Sequence, residues 1–399
     1  MVRFLSLYLE GGTERLDHTA AATTTPPPPA KPSGRRPALP ALTGIRTLFA
    51  LTIIFFHFSN PAMFGVFEPV VNNAFIFVGC FFLLSGFILA YNYGARGASL
   101  SKREFWLARF ARLYPVYLLA LLISYQMLLA EWHYQTRAHF VEGIILTPLL
   151  LQGFSPLLAT FWNTVAWTLS CEVMLYIAFP YIMAMRWPRS PRKLAALVVF
   201  FWVLGMVLPA LYLILRPDGI APHALNRFSP GMWLRTLKFT PIPYAPTFLA
   251  GLALGLLQDR ATISNRTRLW MSGGILLFLA VLFHWWIYAL PYPMLHVGLL
   301  TPLFAILILG LSGDHWISQI FAIRPMVILG EATYCLYLLH FNSWNLIHKY
   351  KLPQRLHVQA WDPWFSYVLL VAIALVAFYA VEMPGRRWIL KRWSHRRSS

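Results

Sequence analysis

The sequence predicts an all-α, polytopic integral membrane protein with about ten transmembrane helices and both termini in the cytosol. Of its 399 residues, 58% are hydrophobic and only 12% are charged, and the mean hydropathy is +0.58. A soluble domain has about 45–50% apolar and about 25% charged residues. Too few charges remain to cover a soluble globule of this length, so a soluble enzyme is excluded.

Ten apolar runs are long enough to cross about 30 Å of hydrocarbon. Prolines inside these runs predict kinks rather than breaks, because neighbouring helices can satisfy the freed carbonyl groups. The sixth run is short and contains Pro246, and the stretch 144–151 is too short to span, so we expect it at the interface. The predicted spans are 42–59, 72–93, 113–130, 162–185, 194–215, 244–258, 269–289, 294–311, 326–345 and 364–382.

Two polar segments flank the predicted membrane domain, which covers residues 41–385. Residues 1–40 contain TTTPPPPAKPSGRRPALP and are typical of a Pro-rich, flexible cytosolic tail. Residues 386–399 are rich in Lys and Arg and are predicted to form a basic cytosolic tail.

The distribution of Lys and Arg predicts the orientation. The net charge is +19, but the basic residues form short clusters between apolar runs, which is typical of an anionic membrane surface rather than of nucleic-acid binding. Alternate segments hold 24 of the 33 basic residues and the other loops hold 8, with Arg46 inside the first span. We therefore expect a cytoplasmic (inner) membrane protein whose cytosolic segments are 1–41, 94–112, 186–193, 259–268, 312–325 and 383–399.

Arg46 and His57 lie eleven residues apart in the first predicted span. Eleven steps of about 100° return to within about 20° of the same helix face, about 16 Å along the axis. Ionisable residues are costly in hydrocarbon and face the bundle interior, so the pair predicts a buried polar column with His57 as general base. Two alternatives stay open: Arg46 as an anchor near the inner interface, and His57 as a core histidine with satisfied hydrogen bonds.

A carboxylate and a second histidine lie inside later spans. Glu172 and Tyr176 are four residues apart in the fourth span and share a helix face, and His340 lies deep in the ninth. Counted along the helices, His57, His340 and Glu172 all fall between the midplane and the outer face. We therefore expect Glu172 to orient or charge-balance the His57 imidazole. The alternative for Glu172 is a structural ion pair.

Arg109 and Arg112 are predicted to open the third span at the cytosolic face. Three residues apart, they lie about 60° from each other on a helix and could both grip one phosphate group. The alternative is that both are ordinary anchors at the membrane surface.

The longest predicted outer loop, 216–243, contains Arg227, Arg235 and Lys238. An acceptor substrate is expected to enter from this side. The basic residues would suit an anionic acceptor, although solvated loop charge is the favoured account of them.

Six pieces of sequence occur in order between Leu42 and Glu382. They are LTGIRTLFALTIIFFHF with its R-x10-H spacing, FVGCFFLLSGFILAYNYG, RFARLYPVYLL with its R-x-x-R, WTLSCEVMLYIAFP, FLAGLALG and ATYCLYLLH. In this order and spacing they resemble the membrane acyltransferase-3 family. The resemblance implies transfer of an acyl group, often acetyl, from acyl-coenzyme A to a hydroxyl, most often on a carbohydrate or glycolipid.

The resemblance also implies roles for single residues. His57 and Arg46 become the central catalytic pair, and Arg109 and Arg112 become contacts for the donor phosphates. Acyl-coenzyme A is then a co-substrate, and no bound cofactor or metal is expected. Further contacts with substrate are expected from Tyr176, His340, Ser85 and Tyr114.

Three readings of these residues remain open. In an O-acyltransferase, His57 takes the proton of the acceptor hydroxyl, with either direct attack on the thioester or an acyl-histidine intermediate. A transporter or flippase would use the same buried charges as a proton relay. A non-catalytic membrane scaffold would leave the buried Arg, His and Glu without a purpose.

Overall fold

The structure, a computed structural model, describes residues 36–398, with side chains as far as residue 393. Over this range it contains 19 α-helices and no β-strand. The first eleven are α1 (Pro40–Phe58), α2 (Glu68–Asn72), α3 (Ile76–Tyr93), α4 (Lys102–Ile123), α5 (Tyr125–Tyr134), α6 (Arg137–Leu146), α7 (Trp167–Ala184), α8 (Pro191–Leu215), α9 (Met232–Phe239), α10 (Ala245–Arg260) and α11 (Asn265–Val281). The others are α12 (Tyr292–Val297), α13 (Thr301–Leu311), α14 (Trp316–Phe321), α15 (Arg324–Glu331), α16 (Thr333–Lys349), α17 (Leu352–Arg355), α18 (Trp364–Ala377) and α19 (Met383–Ser398).

The all-α, multi-pass membrane fold is confirmed. Within residues 36–398, eight helical stretches are long and apolar enough to cross a membrane, and α9 with α10 makes a ninth if the pair, bent by 48°, is one span. The sixth predicted span is therefore part of this bent pair. Its Pro246 lies at the start of α10, where a proline is tolerated because that amide has no helical acceptor.

The predicted count of ten exceeds the observed count by one. The run 326–345 was predicted as a single span, but it is divided at Ala332 into α15 and α16. Only 17 residues belong to α16, and its second half is polar, with Asn342 and Ser343 among its buried residues. Glu331, which directly precedes the break, was the available signal, but the apolar runs on either side outweigh one charge in the composition of the segment.

The third predicted span also begins earlier than expected. It was placed at 113–130, whereas α4 starts at Lys102. Ser101 caps this helix, because its side-chain oxygen accepts a hydrogen bond from the Glu104 amide at 3.4 Å. Arg109 and Arg112 consequently lie two to three turns inside a helix rather than at its first turn, which corrects the predicted position of both.

The basic segment 386–399 continues the last span as a helix up to residue 398. A π-helical turn at 378–382 joins α18 to α19. The α19 helix packs on α4, where Gly385 lies against Pro115 and the Arg103 guanidinium carbon lies 4.0 Å from the centre of the Trp393 ring. The predicted Pro-rich tail, apart from its last few residues, lies outside the described residues.

The most extensive helix packing in the described part of the chain joins α3 to α10. A Cβ atom added to Gly251 would lie 2.2 Å from the Leu83 carbonyl oxygen, and one added to Gly86 would lie 2.2 Å from the Phe248 carbonyl oxygen. Only residues without a side chain allow two backbones to approach this closely, a common device of membrane helix pairs. The SGF segment of α3 and the FLAGLALG segment of α10 therefore pack together, and Ser85 lies in this helix pair.

We expect Gly251→Ala to destabilise the protein by about 1–3 kcal/mol, because the added methyl group meets the α3 backbone and forces the helices apart. Gly274→Ala is the matched control, since a Cβ at Gly274 meets nothing within 4 Å. Thermal unfolding of the detergent-purified variants tests this expectation. Equal unfolding temperatures for the two variants would contradict close packing at Gly251.

Candidate active site

A cavity of about 140 Å³ lies between α1, α3, α4, α7 and α16. Apolar side chains form much of its wall. The polar side chains that line it are Arg46, Ser85, Arg109, Arg112, Thr168, Glu172, Tyr176, Thr333, Tyr334 and Tyr337. Four of these helices, α1, α3, α4 and α7, thus bring together six of the side chains that the sequence predicted to be catalytic, donor-binding or in contact with substrate.

Three guanidinium groups dominate the charge of this cavity. Arg46, Arg109 and Arg112 line it together, and Glu172 interacts electrostatically with all three. A second carboxylate, Glu382, lies 4.0 Å from Arg112, between Oε1 and Nε. Since guanidinium groups outnumber carboxylates, the arrangement favours an anionic ligand.

Arg109 retains hydrogen-bonding capacity for such a ligand. Its Nη2 donates to the Tyr93 hydroxyl at 3.4 Å, and its guanidinium carbon lies 5.6 Å from the Phe105 ring centre. Its Nε is buried and has no hydrogen-bond partner in the described part of the chain. A buried donor without an acceptor is costly, so an acceptor group from a ligand would stabilise this site.

Ser85 and Tyr176 meet across the cavity. Their hydroxyl oxygens are 3.0 Å apart, and the Tyr176 carbonyl accepts a hydrogen bond from Trp106 Nε1 at 3.1 Å, which fixes α7 against α4. Tyr114 does not join them, although it was expected to contact substrate. Its hydroxyl donates to the Pro148 carbonyl at 3.1 Å, outside the cavity lining.

His57 and His340 form a separate pair. Their ring centres are 5.2 Å apart, and neither residue lines the arginine cavity. His340 Nδ1 lies 2.6 Å from the Tyr337 carbonyl oxygen, which requires the proton on Nδ1 and leaves Nε2 as an acceptor when the ring is neutral. That Nε2 is buried and has no partner among the described residues.

The expected pairing of Glu172 with His57 is not found. Glu172 interacts with the arginines, whereas the charged or titratable groups that act on His57 are His340 and Arg227. The expectation was wrong because it placed groups by their depth along single helices. Depth does not specify which neighbouring helix a side chain faces.

One face of α16 connects the two groups. Tyr334, Tyr337 and His340 follow each other at intervals of three residues, about 4.5 Å apart along the axis. Tyr334 and Tyr337 line the arginine cavity, and His340 contacts His57. The Tyr334 hydroxyl donates to the Leu113 carbonyl at 2.7 Å, which fixes this face against α4.

Arg227, Arg235 and Lys238 of loop 216–243 are not simply solvated, which corrects the favoured account of them: Lys238 is buried and the two arginines are half-buried. Arg227 Nη1 donates to the Phe56 carbonyl at 3.2 Å, Lys238 Nζ donates to the Arg227 carbonyl at 2.9 Å, and Arg235 Nε donates to the Pro156 carbonyl at 3.0 Å. Burial lowers the pKa of Arg227 below its ordinary value. These cations hold the loop onto the helix ends.

Sequence reasoning missed two parts of the site. Glu382 was treated as the end of the last span, yet it is 5% exposed, pairs with Arg112 and accepts from Cys335 Sγ at 3.1 Å. An acidic residue at the end of a long apolar run was the available signal. Tyr334 and Tyr337 were missed because aromatic residues are common throughout the spans.

Residues 39–383 match the acyltransferase domain of the membrane acyltransferase-3 family. The chain belongs to this family. This membrane acyltransferase is therefore a transferase enzyme with a multi-pass helical domain, as the sequence pieces implied.

Several curated relatives of this membrane acyltransferase are named for acyl or acetyl transfer. Acyltransferase MdmB of Streptomyces mycarofaciens is 27% identical over 89% of this chain and 93% of its own length. A putative O-acetyltransferase of Staphylococcus aureus (strain MRSA252) is 22% identical, over 90% of this chain and 59% of its own length. The peptidoglycan O-acetyltransferase OatA of Listeria monocytogenes is 23% identical, over 88% and 56%. The chain thus spans little more than half of the two O-acetyltransferases. No solved structure matches it.

We expect Tyr176→Phe to lower the rate of acyl transfer by about 2- to 10-fold, the effect of one lost hydrogen bond in the cavity. Tyr114→Phe is the matched control, because it removes a hydroxyl that bonds a carbonyl outside the cavity. Transfer of labelled acyl groups in membranes with equal amounts of each variant checks this. Equal losses in both would mean that the cavity hydroxyl has no special role.

Proposed function

We propose that this protein is an O-acyltransferase that moves an acyl group, with acetyl expected, from acyl-coenzyme A to a hydroxyl of a carbohydrate or glycolipid in the cytoplasmic membrane. The observation that carries the proposal is the cavity lined by Arg46, Arg109 and Arg112. Relatives named as O-acetyltransferases support the chemistry, and the name of the peptidoglycan O-acetyltransferase OatA supports a carbohydrate acceptor.

The donor phosphates bind to Arg109 and Arg112 in this proposal. Guanidinium groups suit phosphate because they offer two parallel donors in a fixed plane. Arg109 and Arg112 lie in the half of α4 nearer the helix end that is predicted to face the cytosol, where acyl-coenzyme A is available. The apolar part of the wall, which includes Phe81 and Leu338, accepts the uncharged arm of the donor.

The thioester lies farther along α1, near His57. Arg46 and His57 are separated by about 16 Å along the helix axis, so one side chain cannot serve both ends of the site. The phosphopantetheine arm separates phosphate from thioester in acyl-coenzyme A and bridges this gap. Tyr337 and His340 on α16 line the path from the cavity to His57.

His57 acts as the general base of the transfer. It accepts the proton of the acceptor hydroxyl as that oxygen attacks the thioester carbonyl, and the carbon–sulfur bond breaks. The same proton then passes from the imidazole to the departing coenzyme A thiolate. The products are an O-acyl ester and free coenzyme A. His340, with its unpartnered Nε2, is placed to position His57 or the attacking hydroxyl.

Substitution of the two donor-binding arginines separates phosphate binding from membrane anchoring. We expect Arg109→Lys and Arg112→Lys each to raise the apparent KM for acyl-coenzyme A about tenfold, because lysine keeps the charge but loses the bidentate fork. Donor binding should also weaken as salt is raised, since the site opens to the cytosol and its charges are partly screened. Initial rates over a range of donor concentrations, in variants of matched abundance, measure both.

Arg103→Lys is the control for this experiment. Arg103 is on the same helix but is exposed and lies outside the cavity lining. If neither Arg109→Lys nor Arg112→Lys changes the donor KM, the two arginines are anchors and the donor binds elsewhere.

Replacement of His57 tests the base. We expect His57→Ala to reduce transfer to the background level while the donor KM, where measurable, stays unchanged, because no other residue of α1 offers a proton acceptor at that depth. His284→Ala, which removes an exposed histidine, is the control. Activity of His57→Ala near that of the parent would transfer the role to His340.

The same assay distinguishes an enzyme from a transporter. Detergent-solubilised protein should still transfer labelled acyl groups to an added acceptor, whereas transport requires sealed vesicles. Activity that appears only in sealed vesicles would contradict the proposed function.

A further inference from the structure

A second cavity, of about 700 Å³, lies at the other end of α1 from Arg46. Its walls come from the segment before α3, the end of α8, the loop 222–228 and the segment 287–295. The orientation predicted from the basic residues puts this end on the outer side of the membrane. The cavity belongs to no part of the site described above.

Arg227 joins this outer cavity to the histidine pair. It lines the cavity, its Nη1 donates to the Phe56 carbonyl at 3.2 Å, and its guanidinium carbon lies 4.6 Å from the Phe56 ring centre. Phe56 directly precedes His57, and Arg227 also interacts electrostatically with His57. Arg227 therefore lies between the outer cavity and the proposed general base.

The lining has the chemistry that recognises a sugar ring. Asn72 Nδ2 donates to the Tyr288 hydroxyl at 3.1 Å, which places amide and phenol groups side by side on one wall. On the other wall, Arg227 offers guanidinium N–H groups, and Phe228 has an aromatic side chain that is 77% exposed. Hydroxyl groups of a sugar hydrogen-bond to amides, phenols and guanidinium groups, and the C–H face of a sugar ring packs on an aromatic ring.

The charge of the outer cavity is also compatible with a sugar ligand. None of its lining residues is Asp or Glu, and Arg227 is its only Lys or Arg. The Glu68 carboxylate, which is not part of the lining, accepts a hydrogen bond from the Tyr288 hydroxyl at 3.0 Å. The cavity therefore offers donors to the oxygen atoms of an acceptor and no carboxylate that would bind a cationic one.

We propose that this outer cavity holds the sugar ring that receives the acyl group, with Arg227 donating to an oxygen of the sugar and Phe228 packing on its face. This inference rests on the proposed function, in which the donor approaches from the arginine cavity. Donor and acceptor then enter from opposite ends and meet at His57 and His340. The hydroxyl of the sugar loses its proton to His57 as described above.

Two variants change the outer cavity in different ways. Ala289→Trp fills it without removing a side-chain contact, since Ala289 is exposed and lines the cavity. Arg227→Gln removes the guanidinium group. Their controls are Ala224→Trp and Arg216→Gln, which make the same changes in the same loop region outside the lining.

The assay uses membranes of the producing cells, which contain the native acceptor, together with tritiated acetyl-coenzyme A. Label transferred to carbohydrate is measured as acetate released by mild alkali from the glycan fraction. We expect both cavity variants to lose about tenfold or more of this transfer, as for a lost hydrogen bond to a charged group or a blocked site, with an unchanged donor KM. Both controls should transfer like the parent.

Parent-like transfer by both Ala289→Trp and Arg227→Gln would overturn the inference, and so would a raised donor KM in both. Label found in lipid or protein free of sugar would overturn the sugar assignment. If the parent itself transfers no label from acetyl-coenzyme A, the proposed donor fails, and the inference fails with it. If the parent transfers label and both cavity variants transfer it equally well, the inference about the outer cavity fails while the proposed function stands.

Discussion

The architecture depends on placing charged groups inside an apolar helical bundle. A charged side chain at the centre of a bilayer costs at least about 2.5–3.5 kcal/mol, so such groups require partners and a polar cavity. The partners here come from distant parts of the chain: Arg46 from α1, Arg112 from α4, Glu172 from α7, and Glu382 from the turn after α18. The charge cluster thereby links the first helix to the last, and the cavity is where they meet.

This arrangement divides the work of the site between two places. Arg46 lies in the half of α1 that begins at Pro40 and lines the cavity with Arg109 and Arg112 of α4, whereas His57 lies at the last turn of α1. A positive cavity binds anions well but would disfavour the protonated imidazole that forms during base catalysis. Separation along one helix keeps the base away from the guanidinium groups that hold the donor. The α16 face with Tyr337 and His340 provides the connection between them.

The sequence predicted the parts of this site that depend on a single helix. The spacing of Arg109 and Arg112 placed both on one face, and both line the cavity. The same reasoning could not predict which helices contact one another. Periodicity states which face of α7 carries Glu172, but only packing determines that this face meets arginines instead of His57. The break at Ala332 was not predicted because Glu331 is a single charge between two apolar runs, and Glu382 was not recognised because it lies at the predicted end of the last span.

The contact between α3 and α10 has a mechanical consequence. Besides Gly86 and Gly251, a Cβ at Gly255 would lie 2.5 Å from the Phe87 carbonyl oxygen, so three points of backbone contact follow one another along the pair. Sliding or rotating one helix on the other would drive a side chain into these contacts, and close-packed interfaces resist such shear. The α3 and α10 helices therefore move as one rigid unit, which carries Ser85. Any widening of the cavity to admit a ligand must come from the other helices that line it, α1, α4, α7 and α16.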